Sequence, residues 1–188
     1  MHRRTTISEH QEVISTLAVK LMVYEFHQDD PRKCTSAKLC RFQLARKLKS
    51  MNRIHRSSIV LNPTASQTLS RDDKPIAKQY GLVALDCSWN LSEEIFQRQI
   101  PGENRRLPAL LAGNPTSYGI IGRLSTAEAF AAALYITGFP QEAEKVLTIF
   151  NWGHTFLSLN EDPLQAYAGS APDEMAERER EFFGHPER

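Results

Sequence analysis

The chain has 188 residues, 41% hydrophobic and 24% charged, a balance that excludes a collagen-like, disordered or disulfide-scaffold protein and fits one compact domain, or one and a half, with a real core. The net charge of +1 conceals a gradient, since residues 1–60 carry +7, residues 61–130 balance and residues 131–188 carry −6. A basic front and an acidic back orient an anionic polymer, which makes nucleic acid the leading partner class. No apolar run reaches the about 18 residues of a membrane span, and residues 1–11 are too polar for a secretory signal, so a cytoplasmic protein with no membrane partner is expected. Cys34, Cys40 and Cys87 are odd in number and lack a CxxC pair, so neither a disulfide framework nor a zinc site is indicated and no metal is expected.

Residues 1–16 are polar and aperiodic and read as an extension. LAVKLMVYEF (17–26) is apolar and rich in β-formers, giving a strand closed by the Pro-containing loop HQDDPRKCTS. Ser36 is placed to cap a helix from Ala37 that buries Leu39, Cys40, Phe42, Leu44 and Leu48, leaving Lys38, Arg41, Arg46, Lys47 and Lys49 on its other faces. Nine cations and no acid fall between Arg32 and Arg56. With Arg53 and Arg56 this basic helix forms a footprint for RNA, although a solvated helix face has the same composition.

SIVLNP (58–63) is a second buried strand that delivers Leu61 and Pro63 to its C-terminal edge. Ser70 and Asp73 then box the start of a helix that ends at Gly81, and GLVALDCSW (81–89) is a third strand, apolar until Asp86. LSEEIFQRQ is a short helix capped by Ser92, RRLPALLAGNP (105–115) a fourth apolar run, and NPTSYG a loop. Ser125 and Glu128 box a helix ended by Gly138. After Pro140 comes another, with Glu142, Glu144 and Lys145 facing water and Val146, Leu147, Ile149 and Phe150 packed. Residues 151–170 read as helix broken near Pro163, and the rest as a charged, partly helical tail.

Strands alternating with helices predict an α/β fold, a mostly parallel sheet flanked by helices with a helical C-terminus. Ligands of such sheets sit beyond the strand C-termini, which selects Pro63, Asp86 and Asn114. No GxGxxG follows a strand and no GxxxxGK[ST] occurs, so neither a dinucleotide fingerprint nor a P-loop is present. His27, His55 and His154 lack ligand spacing, Cys87 reads as a small buried residue, and Phe150, Trp152 and Phe156 as core.

The strings LNPTASQTLSRDD, LVALDCSWN, RLPALLAGNPTSYG and LSTAEAFAAALYITGF, in this order, resemble the ribosomal RNA aminocarboxypropyltransferase family of archaea and eukaryotes over residues 18–170. The resemblance implies a SPOUT-like fold with a C-terminal trefoil knot, a rare threaded topology. It divides the chain into an α/β part (17–104), a SPOUT-like part (105–172) and a charged tail (173–188). The implied reaction moves the 3-amino-3-carboxypropyl group of S-adenosylmethionine to N3 of a uridine- or pseudouridine-type base. The partner is small-subunit ribosomal RNA or a pre-ribosomal particle, and the enzyme a monomer. Carried over position by position, the donor pocket takes Thr35, Leu61, Pro63, Leu85, Asp86, Trp89, Leu107, Leu124 and Thr126. Gly122 joins them through its backbone, where some relatives carry a larger side chain.

The residue types suit that chemistry. An indole face such as that of Trp89 stabilises a sulfonium by about 0.5–2 kcal/mol and can occupy the methyl side, leaving the longer arm open. Asp86, at a strand end, is placed either to take the imide proton or to hold the donor by hydrogen bonds. Ser125 and Thr126 serve as a helix cap, and the free N–H groups there also suit a carboxylate. A methyltransferase of similar fold and a non-catalytic RNA-binding assembly factor are the rival readings; product mass would discriminate the first and donor binding the second.

Overall fold

The computed structural model describes residues 17–26, 34–87, 95–96 and 98–184. Five strands form one all-parallel sheet in the order β2-β1-β4-β3-β5. They are β1 (Leu21–Glu25), β2 (Arg46–Lys47), β3 (Ile59–Leu61), β4 (Leu82–Asp86) and β5 (Glu103–Arg105). Parallel strands need covered faces, and the period-2 alternation supplies both. Leu21, Val23, Ile59, Leu61, Leu82 and Ala84 point into the larger core cluster. Met22, Val60, Val83 and Leu85 point the other way, into a second cluster closed by Leu48, Ile54, Ile95, Phe96 and Ile100.

Seven α-helices flank the sheet among the described residues. α1 (Thr35–Arg41) and α2 (Lys74–Tyr80) belong to the N-terminal half. α3 (Thr126–Ile136), α4 (Pro140–Leu147), α5 (Gly153–Leu159), α6 (Glu161–Gly169) and α7 (Met175–Phe183) follow β5. α3 is the central helix, packing on β4, α1, α4 and α6. Its run of buried alanines, Ala127, Ala131, Ala132 and Ala133, brings neighbouring backbones close on every side. α2 follows a single 3₁₀ turn (Arg71–Asp73) with the expected Ser70–Asp73 capping box. It ends at Gly81, whose φ of +85° turns the chain directly into β4 and whose added Cβ would lie 2.4 Å from the Lys20 carbonyl.

Three local expectations fail. The basic segment is not one helix: α1 stops at Arg41, Gln43 adopts φ 60°, and Arg46 and Lys47 enter the sheet as edge strand β2. Leu44 and Leu48 have a spacing that suits either structure, and pairing with β1, including Leu48 N–H to the Val23 carbonyl at 2.7 Å, decides for the strand. Ser36 does not cap α1; Cys34 does, its sulfur accepting from the Ala37 N–H, and Ser36 is buried. Glu142 does not face water: it is 9% exposed and accepts the Ala18 and Val19 N–H groups at 2.6 and 3.3 Å, tying α4 to the chain entering β1. The helix break expected near Pro163 falls at Asn160; Pro163 itself sits in the first turn of α6, where a missing N–H costs nothing. Asn160 is fully buried and bonds Leu111 in both directions at 2.8 Å, so the break is fixed by a tertiary contact. The proposed Ser92 cap lies outside the described residues.

Candidate functional site

The C-terminal ends of β1 and β4 lie side by side with Glu25 opposite Asp86, and the N-termini of α1 and α3 meet them there. Asp86 is the centre of the cluster. Its Oδ2 accepts from Ser36 Oγ at 2.7 Å and Cys34 Sγ at 2.9 Å, and its Oδ1 accepts from Thr126 Oγ1 at 2.8 Å. Thr35 completes the link, its hydroxyl accepting from the Ala127 N–H at 3.3 Å. One carboxylate thus ties two helix starts to the sheet edge. Burial, followed by the hydrogen bond to Asp86, pushes the Cys34 thiol up, which keeps it protonated and able to donate. Ser36 also lies 3.2 Å from Glu25 Oε1, and Glu25 is ion-paired with Lys47.

A second carboxylate organises the adjoining loop. Glu128 is fully buried, and its Oε1 accepts the N–H groups of Gly113 and Asn114 at 2.7 and 2.9 Å. Its Oε2 accepts from the Asn114 amide and the Ser125 N–H, both at 2.7 Å. The segment 113–125 is therefore pinned at both ends to the first turn of α3. Asn114 does not follow a strand, as the sequence had suggested: β5 ends at Arg105, and Asn114 is a buried loop anchor.

The predicted donor residues separate into groups. Thr35, Asp86 and Thr126 form the polar cluster. Leu61 lies in the larger core cluster, and half-buried Leu107 and Leu124 pack against it. Leu85 points to the opposite face of the sheet, against Tyr24, Phe26 and Cys87. Pro63 is exposed on the turn held by Asn62, whose Oδ1 accepts from Thr64 N–H and Oγ1, both at 2.9 Å. Gly122 is exposed with φ +75°. Trp89 lies outside the described residues. Glu25, Cys34, Ser36 and Glu128 belong to the site's framework although sequence patterns assigned them no such part. The only signal for Glu25 is its place at a strand end like that of Asp86.

Of the basic residues, Arg41, Arg46, Lys47, Lys49, Arg53 and Arg56 are exposed, spread over α1, β2 and the following segment. Lys38 is half-buried with its ammonium 4.9 Å from the Phe150 ring centroid, and Lys47 is neutralised by Glu25. His55 stacks on Tyr80 with ring centroids 4.8 Å apart. Among the described residues no group of three or more His, Cys, Asp or Glu could hold a metal. A groove lined by Leu17, Val19, Gln43, Leu44 and Arg46 opens at the opposite, N-terminal edge of β1 and β2 and includes none of the clustered residues.

A parallel α/β sheet with a built C-terminal edge and a loop pinned beside it defines the class, and comparison with known proteins narrows it. Residues 59–183, more than half of the chain, match the family described as "Ribosome biogenesis protein, C-terminal". The chain is 48% identical over 152 residues to the 16S rRNA aminocarboxypropyltransferase of Methanosarcina acetivorans, covering 80% of this chain and 86% of that one. It is 42% identical over 165 residues to that of Sulfurisphaera tokodaii, covering 88% and 96%. The structure of the SAM-dependent rRNA:acp-transferase Tsr3 from Vulcanisaeta distributa superposes with a TM-score of 0.82 at 40% identity, covering 89% of this chain and 90% of that one. The chain belongs to the 16S rRNA aminocarboxypropyltransferase family. Residues 19–52 also match "Possible Fer4-like domain in RNase L inhibitor, RLI". An iron–sulfur cluster takes four thiolates. That segment holds only Cys34, bonded to Asp86, and Cys40, which burial and then Glu25 push up to about 11, so its residues do not fit one.

Proposed function

We propose that this protein transfers the 3-amino-3-carboxypropyl group from S-adenosylmethionine to N3 of a uridine- or pseudouridine-type base in small-subunit ribosomal RNA. The observation that carries the reading is the Asp86–Thr126–Thr35 cluster at the C-terminal sheet edge, in a chain 40% identical to a protein described as an SAM-dependent rRNA:acp-transferase. The residues suit such a donor. Leu61, Leu107 and Leu124 offer aliphatic surface to a purine, Asp86 offers acceptor oxygens to the ribose, Thr35 and Thr126 offer hydroxyls to the amino-acid end, and Pro63 and Gly122 offer accessible backbone. Leu85 contributes from the other face, and Trp89 is assigned the sulfonium contact.

When bound, the donor supplies an electrophilic carbon on its sulfonium sulfur; the new N3–C bond forms as that C–S bond breaks, methylthioadenosine leaves and the N3 proton passes to solvent. Asp86 acts as a positioning residue in this reading. Its oxygens already accept three side-chain hydrogen bonds, so its first effect is to hold Thr126 and the start of α1 in place, not to take the imide proton. The exposed cations Arg41, Arg46, Lys49, Arg53 and Arg56, together with Lys38 and Lys47, are proposed to track the RNA backbone.

The irregular chain 106–124, which reaches α7 through Ala109 N–H to Glu179 at 2.8 Å and the α5–α6 junction through Leu111, is proposed to thread as the trefoil knot of the SPOUT type. The proposed division is an α/β part (17–104) and a SPOUT-like part (105–172), with this stretch in the second. We further assign a monomer working in the cytoplasm; no helix of the described residues is long and apolar enough to cross a membrane.

Purified protein incubated with small-subunit RNA and donor labelled either in the carboxyl carbon or in the methyl group tests the reading. Carboxyl label should appear in RNA. Methyl label alone would make the protein a methyltransferase, and neither label would remove the catalytic assignment.

A further inference from the structure

The exposed large hydrophobic side chains among the described residues are Tyr118 (60%), Ile120 (45%), Ile121 (42%) and Phe182 (38%). Three of the four stand within one short loop, a concentration of apolar surface that marks a contact site. The loop is rigidly built. Ala112 accepts from Gly119 N–H at 2.7 Å and donates to the Ile120 carbonyl at 3.1 Å, while Gly122 N–H reaches the Leu110 carbonyl at 2.9 Å. Within the turn, Asn114 Oδ1 accepts the Thr116 and Ser117 N–H groups, both at 3.1 Å, and Asn114 itself is gripped by Glu128. The Tyr118 ring pairs with no other ring among the described residues. A Cβ added at Gly119 or Gly122 would meet nothing within 4 Å, so the space beside the loop is open.

Charge selects the occupant. Arg105 and Arg106, near the sheet edge, are neutralised by Asp73 at 3.0 Å and Glu179 at 2.8 Å. Arg123, exposed at the end of the loop, has no ion pair among the described residues. An aromatic face, aliphatic neighbours and an uncompensated guanidinium together fit an unstacked base and its phosphate. The same loop runs directly into Leu124, Ser125 and Thr126, and Thr126 is bonded to Asp86.

We infer that the 114–123 loop is the acceptor platform, on which Tyr118 stacks a splayed-out pyrimidine-type base of the RNA while Ile120 and Ile121 flank it and Arg123 holds a neighbouring phosphate. This deepens the transferase reading and rests on it for the placement of the acceptor beside the donor. Backbone hydrogen bonds to Glu128 set the loop's shape before RNA arrives, so ordering it adds little to the cost of binding.

The test compares a short uridine-only oligoribonucleotide with its counterpart carrying abasic sugars, by fluorescence anisotropy on the full chain. Tyr118→Ala should weaken uridine-oligomer binding about tenfold or more while leaving the abasic oligomer unchanged, and Tyr118→Phe should restore it. S-adenosylmethionine affinity by calorimetry should not change in either variant. Equal losses for both oligomers, or no loss for either, overturn the platform. A loss seen only with protein-containing pre-ribosomal particles also overturns it and makes the loop a protein-docking site. Failure of the unsubstituted protein to bind S-adenosylmethionine sinks the transferase reading by itself, whereas the uridine-versus-abasic difference judges Tyr118 independently.

Discussion

Two carboxylates with similar numbers of partners differ in how far they tolerate an amide. Glu128 is fully buried and receives four N–H donors, none of which can turn into an acceptor without breaking the loop. Glu128→Gln aims an NH₂ at two of them, and we expect it to lower stability by about 2–3 kcal/mol. Asp86 receives two donors on Oδ2 but only the Thr126 hydroxyl on Oδ1, and that hydroxyl can rotate to accept. Asp86→Asn should therefore cost only about 1 kcal/mol while weakening donor binding several-fold. Urea unfolding of the two variants and calorimetry with S-adenosylmethionine measure both effects; a larger stability loss for Asp86→Asn than for Glu128→Gln would contradict this account. The Ser125–Glu128 box was legible because its residues are three apart. Glu128's grip on Gly113 and Asn114 was not, since helical and capping patterns describe neighbours and those donors lie 14 and 15 residues upstream.

At the scale of elements, α1 and β2 show where pattern reading stops. Leu39, Leu44 and Leu48 are all buried, as the periodicity demanded, yet only the first is in a helix. Spacings of four or five residues satisfy a helix and also a helix–turn–strand, so the edge of β1, absent from any local window, chose between them. Cys40, on α1, gives this element a pH signature. Burial and then Glu25 raise its thiol from 9.0 to about 11, so the folded state holds that proton more tightly than the unfolded chain. The resulting stability is complete below the unfolded value and disappears as pH climbs through the folded one. The difference in melting temperature between the native protein and Cys40→Ala should accordingly narrow between pH 9 and 11; a constant difference would show that the thiol does not titrate there. At the α2–β4 junction, Gly81→Ala combines φ +85° with a Cβ 2.4 Å from a carbonyl oxygen, and a loss of more than about 1 kcal/mol is expected in denaturant titration.

For the molecule as a whole, charge and fold act together. The acidic C-terminal third is not simply a solvated tail: Glu179 of α7 takes a bidentate pair from Arg106 and the Ala109 N–H, and Glu142 of α4 holds the chain entering β1. Part of the −6 is thus engaged inside the fold, and the exposed cations of the N-terminal half are the ones proposed to track RNA. Reversing Arg41, Arg46 and Arg53 together to Glu should weaken RNA binding and flatten the dependence of log K on log salt. The slope should fall by about 0.7 for each phosphate of a single strand that is no longer neutralised. An unchanged slope would assign those residues to solvent.

The sequence by itself determined the α/β class, the order of the main strands and helices, the capping boxes at Ser70 and Ser125 and the family, because these rest on periodicity, local hydrogen bonding and ordered strings of residues. Tertiary structure alone decided that Asp86 joins two helix starts, that Leu61 and Leu85 face opposite sides of the sheet, that Glu128 and Glu142 are buried, and that Tyr118 is presented on a pinned loop. These depend on which distant N–H groups and side chains arrive beside a given residue. A one-dimensional pattern carries no measure of such distances; the parallel pairing of β1 with β4 and the packing of α3 on β4, α1, α4 and α6 set them.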